Sequence, residues 1–476
     1  MTTSKRTLVM KFGGTSVGSV EALNHATQII REARKEWERL VVVTSAMSGV
    51  TNLLLDSAGR AVCGETEMLA AAEKALRSKH FAASNELIRN QTLCAKAKSE
   101  IDELIFTFVD LCKAIAVLGE ASPRALDAVA SLGERMSVRL LGAILEDAGI
   151  ESKVVESTEF MITNDHFQNA HPDIETTTKK TREVLNPLLE NGILPITTGF
   201  IGATHQGIIT TLGRGGSDYS AAVIGAVLPA DDVWIWTDVD GVMTTDPRIV
   251  PTARTLPEIT YSEIVELAYY GAKVLHPKTI RPVIDAGIGL RICNTFNPSH
   301  PGTRLIANSK HNGKPANGNV VRAVTAIQKQ RLITIEGRGM LGVPGVAARA
   351  FAAVASTGTS VPLITQASSE QSICFAVPEE SAGHVLAALQ KIFSTELEDN
   401  DIDRIWKTED VSIITVVGVG MIHTPGIAGR VFSQLGNNEV NVLAIAQGSS
   451  EVSISMVVAA ADTENAVKSL HELIIK

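Results

Sequence analysis

Two hydrophobic periods interleave along the first 300 residues, one helical and one extended. Residues 7–12 and 40–44 are short β-branched or apolar runs. Between them Leu23, Ala26, Ile29, Ile30, Ala33 and Trp37 recur at helical spacing behind a candidate N-cap, Ser19. Strand, helix, strand in this order predicts a βαβ unit and a sheet that starts parallel. Residues 55–150 carry few strand signals and predict a helical block. Within it Ser122-Pro123 marks the N-cap and first turn of a helix running through Glu134. Strands return at 153–156, 193–197, 208–212, 233–237 and 290–293, with helical patterns around 177–190, 217–227 and 262–275. The alternation predicts an α/β sandwich with a mostly parallel sheet. Residues 200–212 are the exception, since Gly202 and His205-Gln206-Gly207 predict a hairpin. Residues 297–319 read as a linker, which ends the first domain near 310.

The remaining chain repeats itself. Residues 331–376 match 412–457 without a gap at a constant offset of 81, including Gly337/Gly418, Met340/Met421, Pro344/Pro425, Arg349/Arg430 and Gln366/Gln447. Fixed self-similarity marks a duplicated structural unit. Each copy reads strand, Pro-Gly turn, helix, strand, strand, helix. Runs at 321–327 and 402–406 supply one further strand ahead of each copy. These leading strands are expected to complete the two sheets, across copies, as one interlocked body.

Composition narrows the class. A chain of 476 residues suits two to four domains, and 45% hydrophobic with 20% charged residues excludes disorder. A formal net charge of -9 argues against nucleic acid as a partner. No apolar run approaches the roughly 20 residues that span a bilayer, and residues 1–6 lack the apolar core of a signal peptide. Five cysteines, at 63, 94, 112, 293 and 374, show no metal spacing and read as free thiols in a reducing cytoplasm.

Three glycine-containing loops carry the candidate chemistry. Lys11-Phe12-Gly13-Gly14-Thr15-Ser16 follows the first strand, where glycines turn backbone N–H groups toward an anion and Lys11 adds a full charge. A plain tight turn is the other reading of that loop. Gly213-Arg214-Gly215-Gly216-Ser217-Asp218 brings a guanidinium fork, a hydroxyl and a carboxylate to another strand end. There the alternative is an Arg–Asp pair that merely stabilises a loop. Thr237-Asp238-Val239-Asp240-Gly241 ends a third strand, either as a ligand loop or as an Asp-Gly turn. Glu134, among Val129, Leu132 and Val138, is a candidate buried carboxylate in need of a cation: a substrate ammonium, Arg135 or Arg139.

Together KFGGTSVG (11–18), SAMSGVTN (45–52), GERMS (133–137), GRGGSD (213–218), WTDVDGVMTTDPR (236–248), GAKVLHP (271–277) and the repeat resemble the aspartate kinases of the amino-acid kinase family. The resemblance covers the whole chain and makes the repeat a pair of ACT domains, at 320–400 and 401–476. It implies a three-layer α/β/α kinase fold followed by ferredoxin-like modules. The implied reaction is ATP-dependent phosphorylation of the L-aspartate side chain, the first step toward lysine, threonine and methionine. It places Lys11, Phe12, Gly13 and Gly14 at the transferring phosphate, with Mg2+ held by the nucleotide and no protein metal site. By the same resemblance Glu134 takes the substrate ammonium, Arg214 its α-carboxylate, and Ser45, Thr51 and Ser217 lie near the reacting carboxylate, while Asp218 orients Lys11. Thr237, Asp238, Met243, Arg248, Lys273 and Val274 match nucleotide-site positions. Met243 stands where many relatives carry Tyr or Phe, which puts nucleotide affinity in doubt.

ACT pairs in this family bind a pathway amino acid. Gln366 and Gln447, in equivalent places with Asn441 and Ile445 nearby, resemble the threonine-sensitive members, and an amide suits a hydroxyl-bearing ligand. The alternative is that both glutamines only tie strand ends. The family also implies a homodimer or larger assembly. No dinucleotide-binding βαβ unit follows the repeat, so a chain without a fused dehydrogenase is expected. The competing functional readings are another ACT-regulated amino-acid kinase and a catalytically silent amino-acid sensor.

Overall fold

The computed structural model describes residues 5–271, 275, 277–307, 320–366, 371–421, 424–448 and 452–475, and the chain divides into two compact bodies. The first comprises residues up to Val242, then 257–261 and 274–307. It opens with β1 (Thr7–Phe12), α1 (Val20–Glu36) and β2 (Arg39–Thr44), the βαβ unit that the hydrophobic periods predict. A helical block follows: α2 (Val50–Val62), α3 (Leu69–Leu87), α4 (Gln91–Leu118) and α5 (Pro123–Asp147). Ser19 and Ser122 cap α1 and α5, each side chain accepting an N–H from three residues on (Ala22 and Ala125), with Pro123 in the first turn.

Next come β3 (Ser152–Val155), β4 (Ile162–Thr163), α6 (Ile174–Glu190), β5 (Leu194–Thr198), β6 (Ile201–Thr204), β7 (Ile209–Thr211), α7 (Gly216–Val227) and β8 (Asp232–Thr237). Then β9 (Glu258–Thr260), α8 (Tyr261–Tyr269), α9 (Pro277–Ala286), β10 (Gly289–Asn294) and β11 (Thr303–Ile306) follow, of which α8, all but its first residue, belongs to the second body. The main sheet has the order β3-β5-β2-β1-β8-β10-β11-β9 and is parallel except where β11 runs against β10. β6 and β7 form the expected hairpin and join β4 in a small separate sheet. β11 falls inside the stretch read as linker. Its four residues pair with both β9 and β10, which a Pro-Gly-rich neighbourhood concealed.

Side chains alternate across the sheet. Leu8, Met10, Phe12, Val42 and Ile196 share one core with α1 to α5. On the other face Gly225 of α7 packs on Val233 and Val9. Helices therefore cover both faces, as a buried parallel sheet requires. The six successive parallel strands, β3 to β10 in sheet order, run toward one edge, where Phe12 stands opposite Thr44 and Trp236, and Thr237 opposite Asn294.

The second body comprises 243–256, 262–273 and 308 onward. It contains β12 (Ala323–Glu336), α10 (Val346–Ser356), β13 (Leu363–Gln366), β14 (Ser372–Pro378), α11 (Glu379–Ile392) and α12 (Ser394–Glu398). β15 (Arg404–Lys407), β16 (Val411–Val417), α13 (Ile427–Asn437), β17 (Ala444–Ala446), β18 (Ser453–Ala459) and α14 (Thr463–Ile475) complete it. The runs at 321–327 and 332–335 are one strand rather than two. No Gly or Pro separates them, and β12 passes through a single irregularity at Gln328–Gln330 where Lys329 has φ 56°. Its first half pairs with β16 of the second copy and its second half with β14 of the first. β15, ahead of the second copy, pairs with β12 from Ile333 to Glu336 in the first. The sheet runs β13-β14-β12-β16-β18-β17, yet Cα atoms of β13 and β17 at its two ends approach within 8 Å, so the sheet curls on itself.

Two excursions from the kinase-like sequence belong to this body. Thr244 and His471 share a hydrogen bond at 2.9 Å, and the Val324 N–H donates to the Thr244 carbonyl at 2.8 Å. Glu263, fully buried, accepts from Arg322 at 3.2 Å and from the Val419 N–H at 3.1 Å. Since β16 relies on β12 for one edge, residues 400–476 expressed alone are expected to show no cooperative thermal transition by circular dichroism, unlike the full chain.

Candidate active site

A cleft of about 520 Å³ opens on the first body, lined by residues from β1, α2, α5 and the loop into α7. It gathers Lys11, Ser45, Thr51, Glu134, Arg214, Ser217 and Asp218, seven positions singled out from the sequence. A strand end or a helix start brings each of them there except Glu134, which lies in the middle of α5. Lys11 is the fifth residue of β1 and 8% exposed. Ser45 directly follows β2, and its N–H donates to the Phe12 carbonyl at 3.1 Å. Gly133 lets α5 come close to the same segment, since a Cβ there would stand 2.9 Å from that of Ala46. The next residue, Glu134, is thereby pressed against the β2 loop.

The charges in the cleft are unevenly satisfied. The Lys11 ammonium contacts the Asp218 carboxylate, so the cation that pairs Asp218 is Lys11 and not Arg214. Arg214 is exposed and has no ion-pair partner among the described residues. Glu134 is 3% exposed, and its Oε2 has no hydrogen-bond partner among the described residues. Arg135 and Arg139, two of its three candidate cations, both turn to Glu156 instead, at 3.0 and 2.8 Å. Burial pushes the Glu134 carboxyl up to about 8; the Ala46 and Glu134 amides and the Lys11 charge only partly offset this.

Phe12, Gly13 and Gly14 continue from β1 along the edge of the sheet, with the Gly13 N–H donating to the Trp236 carbonyl at 3.0 Å. A single 3-10 turn, Thr15–Val17, follows them, and α1 begins at Val20 behind the Ser19 cap, as the sequence predicts. The Ser16 hydroxyl donates to the Trp236 carbonyl at 3.1 Å and accepts from Thr295 at 2.7 Å, bracing the loop against β8. Thr237 ends β8 and its hydroxyl donates to the Asp238 carboxylate at 3.1 Å. Met243 and Arg248 lie in the second body; Met243 accepts a hydrogen bond from Thr255, and Arg248 is exposed and paired with Asp246. Lys273 and Val274 lie outside the described residues. Gln366 ends β13 and Gln447 follows β17; with Asn441 and Ile445 they are exposed, and neither glutamine side chain has a hydrogen bond among the described residues.

Sequence reasoning passed over Asp127 and Gln168, which also line the cleft. The signal available for Asp127 was its position seven residues before Glu134, on the same face of α5.

The family models agree with this architecture. Residues 6–294 match the amino acid kinase family, and 333–393 and 414–473 each match an ACT domain. The chain therefore belongs to the amino acid kinase family, with ACT domains toward its C-terminal end, and within it to the aspartokinases. It is 34% identical over 98% of its length to aspartokinase 2, chloroplastic, of Arabidopsis thaliana, covering 84% of that protein. Identity is 38% over 97% of the chain with a bifunctional aspartokinase/homoserine dehydrogenase 2, chloroplastic, also of Arabidopsis thaliana. The chain spans about half the length (50%) of that bifunctional relative. Among solved structures, E. coli aspartokinase III in complex with aspartate and ADP matches with a TM-score of 0.80 at 31% identity, covering 99% of this chain and all (100%) of that one. The complex of E. coli aspartokinase III with lysine and aspartate matches at 0.78 and 32%, covering 98% and 99%.

Glu134 makes stability pH-dependent in the empty protein. Its folded-state pKa of about 8 lies above the ordinary 4.5, so the folded chain holds an extra proton between those values. That contribution is present below the window and lost as pH rises through it. Glu134→Gln is therefore expected to match wild type near pH 5 and to be more stable by on the order of a few kcal/mol above pH 8. Thermal melts without amino acids or nucleotide across that range check this.

Proposed function

We propose that this protein transfers the terminal phosphoryl group of ATP to the side-chain carboxylate of L-aspartate, giving 4-phospho-L-aspartate and ADP. The observation that carries the reading is the unequal charge satisfaction of one cleft. Among the described residues, a buried carboxylate without a cation and a guanidinium without an anion complement the ammonium and α-carboxylate of an amino acid, while an ammonium stands at the strand end beside them. Glu134 would take the substrate ammonium and Arg214 the α-carboxylate, as a bidentate fork can. Ser45, Thr51 and Ser217 would surround the reacting carboxylate. The attacking oxygen is already ionised at neutral pH, so no strong base is required. A carboxylate oxygen bonds to phosphorus as the bond to ADP breaks, and alignment and charge neutralisation carry most of the catalysis.

Lys11 and the amides of Gly13 and Gly14 would hold the transferring phosphate, with Asp218 orienting Lys11. Phe12, Thr237 and Asp238 continue the nucleotide side, and Met243, Arg248, Lys273 and Val274 are assigned there by family resemblance. The donors at the strand edge are an ammonium and neutral amides, which suit phosphate oxygens. Mg2+ would arrive bound to the nucleotide phosphates and spread the charge of the transferred group.

The ACT pair is read as the sensor of a pathway amino acid, threonine in preference to lysine. The curled sheet brings β13 and β17 together, and Gln366 and Gln447 stand at their ends with amides unengaged among the described residues. Threonine inhibits only by binding the inactive arrangement more tightly than the active one. The reading includes domains at 1–310, 320–400 and 401–476, a homodimer or larger assembly through the ACT domains, and a reducing, cytoplasmic setting for five free thiols. Among the described residues no helix is long and apolar enough to cross a membrane.

Trapping the acyl phosphate with hydroxylamine, using aspartate and ATP, tests the reaction, and absence of the hydroxamate overturns it. Arg214→Lys is expected to raise the aspartate KM roughly tenfold or more, because a point charge replaces a fork. An unchanged KM removes Arg214 from its role. Separate titrations should show inhibition by threonine; inhibition by lysine alone defeats the glutamine argument.

A further inference from the structure

Asp127 lies two helical turns before Glu134 on α5 and is only 1% exposed. Its Oδ1 accepts from the Thr211 hydroxyl at 2.8 Å and the Gln168 N–H at 3.1 Å. Its Oδ2 accepts from the Thr211 N–H at 2.9 Å and the same Gln168 N–H at 3.0 Å. One carboxylate thus joins two backbone segments far apart in sequence. Lys278 of α9 repeats the pattern one residue further along each segment with the opposite charge. Its Nζ donates to the Asn169 side-chain oxygen at 2.8 Å and to the Leu212 carbonyl at 3.1 Å, beside the Tyr219 ring.

The clamped segments, 168–169 and 211–212, are the floor and the approach of the loop that carries Arg214. Gly213 turns there with φ 77°, and a Cβ on it would stand 2.9 Å from both the Gln168 carbonyl and the Asn169 Oδ1. Gln168 itself holds φ 67° without being glycine. A side-chain-bearing residue keeps that conformation only where its surroundings over-determine it, and the Asp127 carboxylate on its N–H is such a constraint. β7 is a hairpin edge, and the Thr211 N–H finds its acceptor in the same carboxylate. Charge-assisted bonds to backbone N–H groups are among the stronger ones available.

We propose that Asp127, together with Lys278, is a positioning residue that fixes where the loop presents the Arg214 guanidinium, and so sets affinity for the α-carboxylate of the amino-acid substrate. The proposal rests on the reading of the cleft as the aspartate site. Neither residue transfers a proton or touches phosphate in it. Their effect runs through Arg214, and it falls on one substrate of the two.

The test uses full-length Asp127→Asn and Lys278→Met, with initial rates measured against aspartate and ATP in turn and a thermal melt of each variant. Asp127→Asn is expected to raise the aspartate KM roughly tenfold or more, the size of one lost charge-assisted hydrogen bond, with the ATP KM within about twofold of wild type. Lys278→Met is expected to move the same constant in the same direction by less, and it decides the matter alone if Asp127→Asn does not fold. An aspartate KM that stays put, or both KM values rising together in a folded variant, overturns the proposal. If wild type itself yields no hydroxamate from aspartate, the functional reading and this proposal fall together; if wild type is active and only the variants behave otherwise than expected, the proposal alone falls.

Discussion

A lysine placed in the central strand of a buried sheet must find an anion, because burying an unpaired charge costs more than most folds can offset. Lys11 sits in such a strand, with both faces covered, and the Asp218 carboxylate from the first turn of α7 meets it. That single contact ties β1 to the start of α7. The loop after β2 meets Gly133 in turn, beside Glu134. The cleft is therefore no depression left by imperfect packing; it is the place where the parallel strands end and the charges they carry have to be resolved.

Resolution is deliberately incomplete. Among the described residues Lys11 has an ion-pair partner, while the carboxylate of Glu134 and the guanidinium of Arg214 have none. A protein optimised for stability alone would turn Arg135 or Arg139 toward Glu134, one and five residues away. Both are occupied by Glu156, which leaves the buried carboxyl without a cation among the described residues, its pKa pushed up by burial. Local strain of this kind is what a binding site stores.

Much of this was legible before any coordinates, for reasons that differ by element. Helical and extended periods are local, so the first βαβ unit, the caps at Ser19 and Ser122 and the hairpin of β6 and β7 followed from neighbours alone. Glycine loops at strand ends announced Lys11 and Arg214. Asp127 escaped because its partners, Gln168 and Thr211, lie 41 and 84 residues away, and a lone Asp on a helix carries no mark of them. β12 escaped for the opposite reason. Its two halves serve different copies of the repeat, and only the pairing shows that one strand does both. The segments 243–256 and 262–271, placed in the first domain from the sequence, pack within the second compact body, since apolar pattern says that a residue is buried but not against what.

Those two excursions have an evolutionary corollary. A sensor appended as a tail can be gained or shed by one recombination in a linker. Here Glu263 answers Arg322 and Thr244 answers His471, so severing the chain near residue 310 would leave a guanidinium and an imidazole facing gaps. The repeat and the segments 243–256 and 262–271 form one body joined side chain by side chain, and a cut between them would strip both of partners.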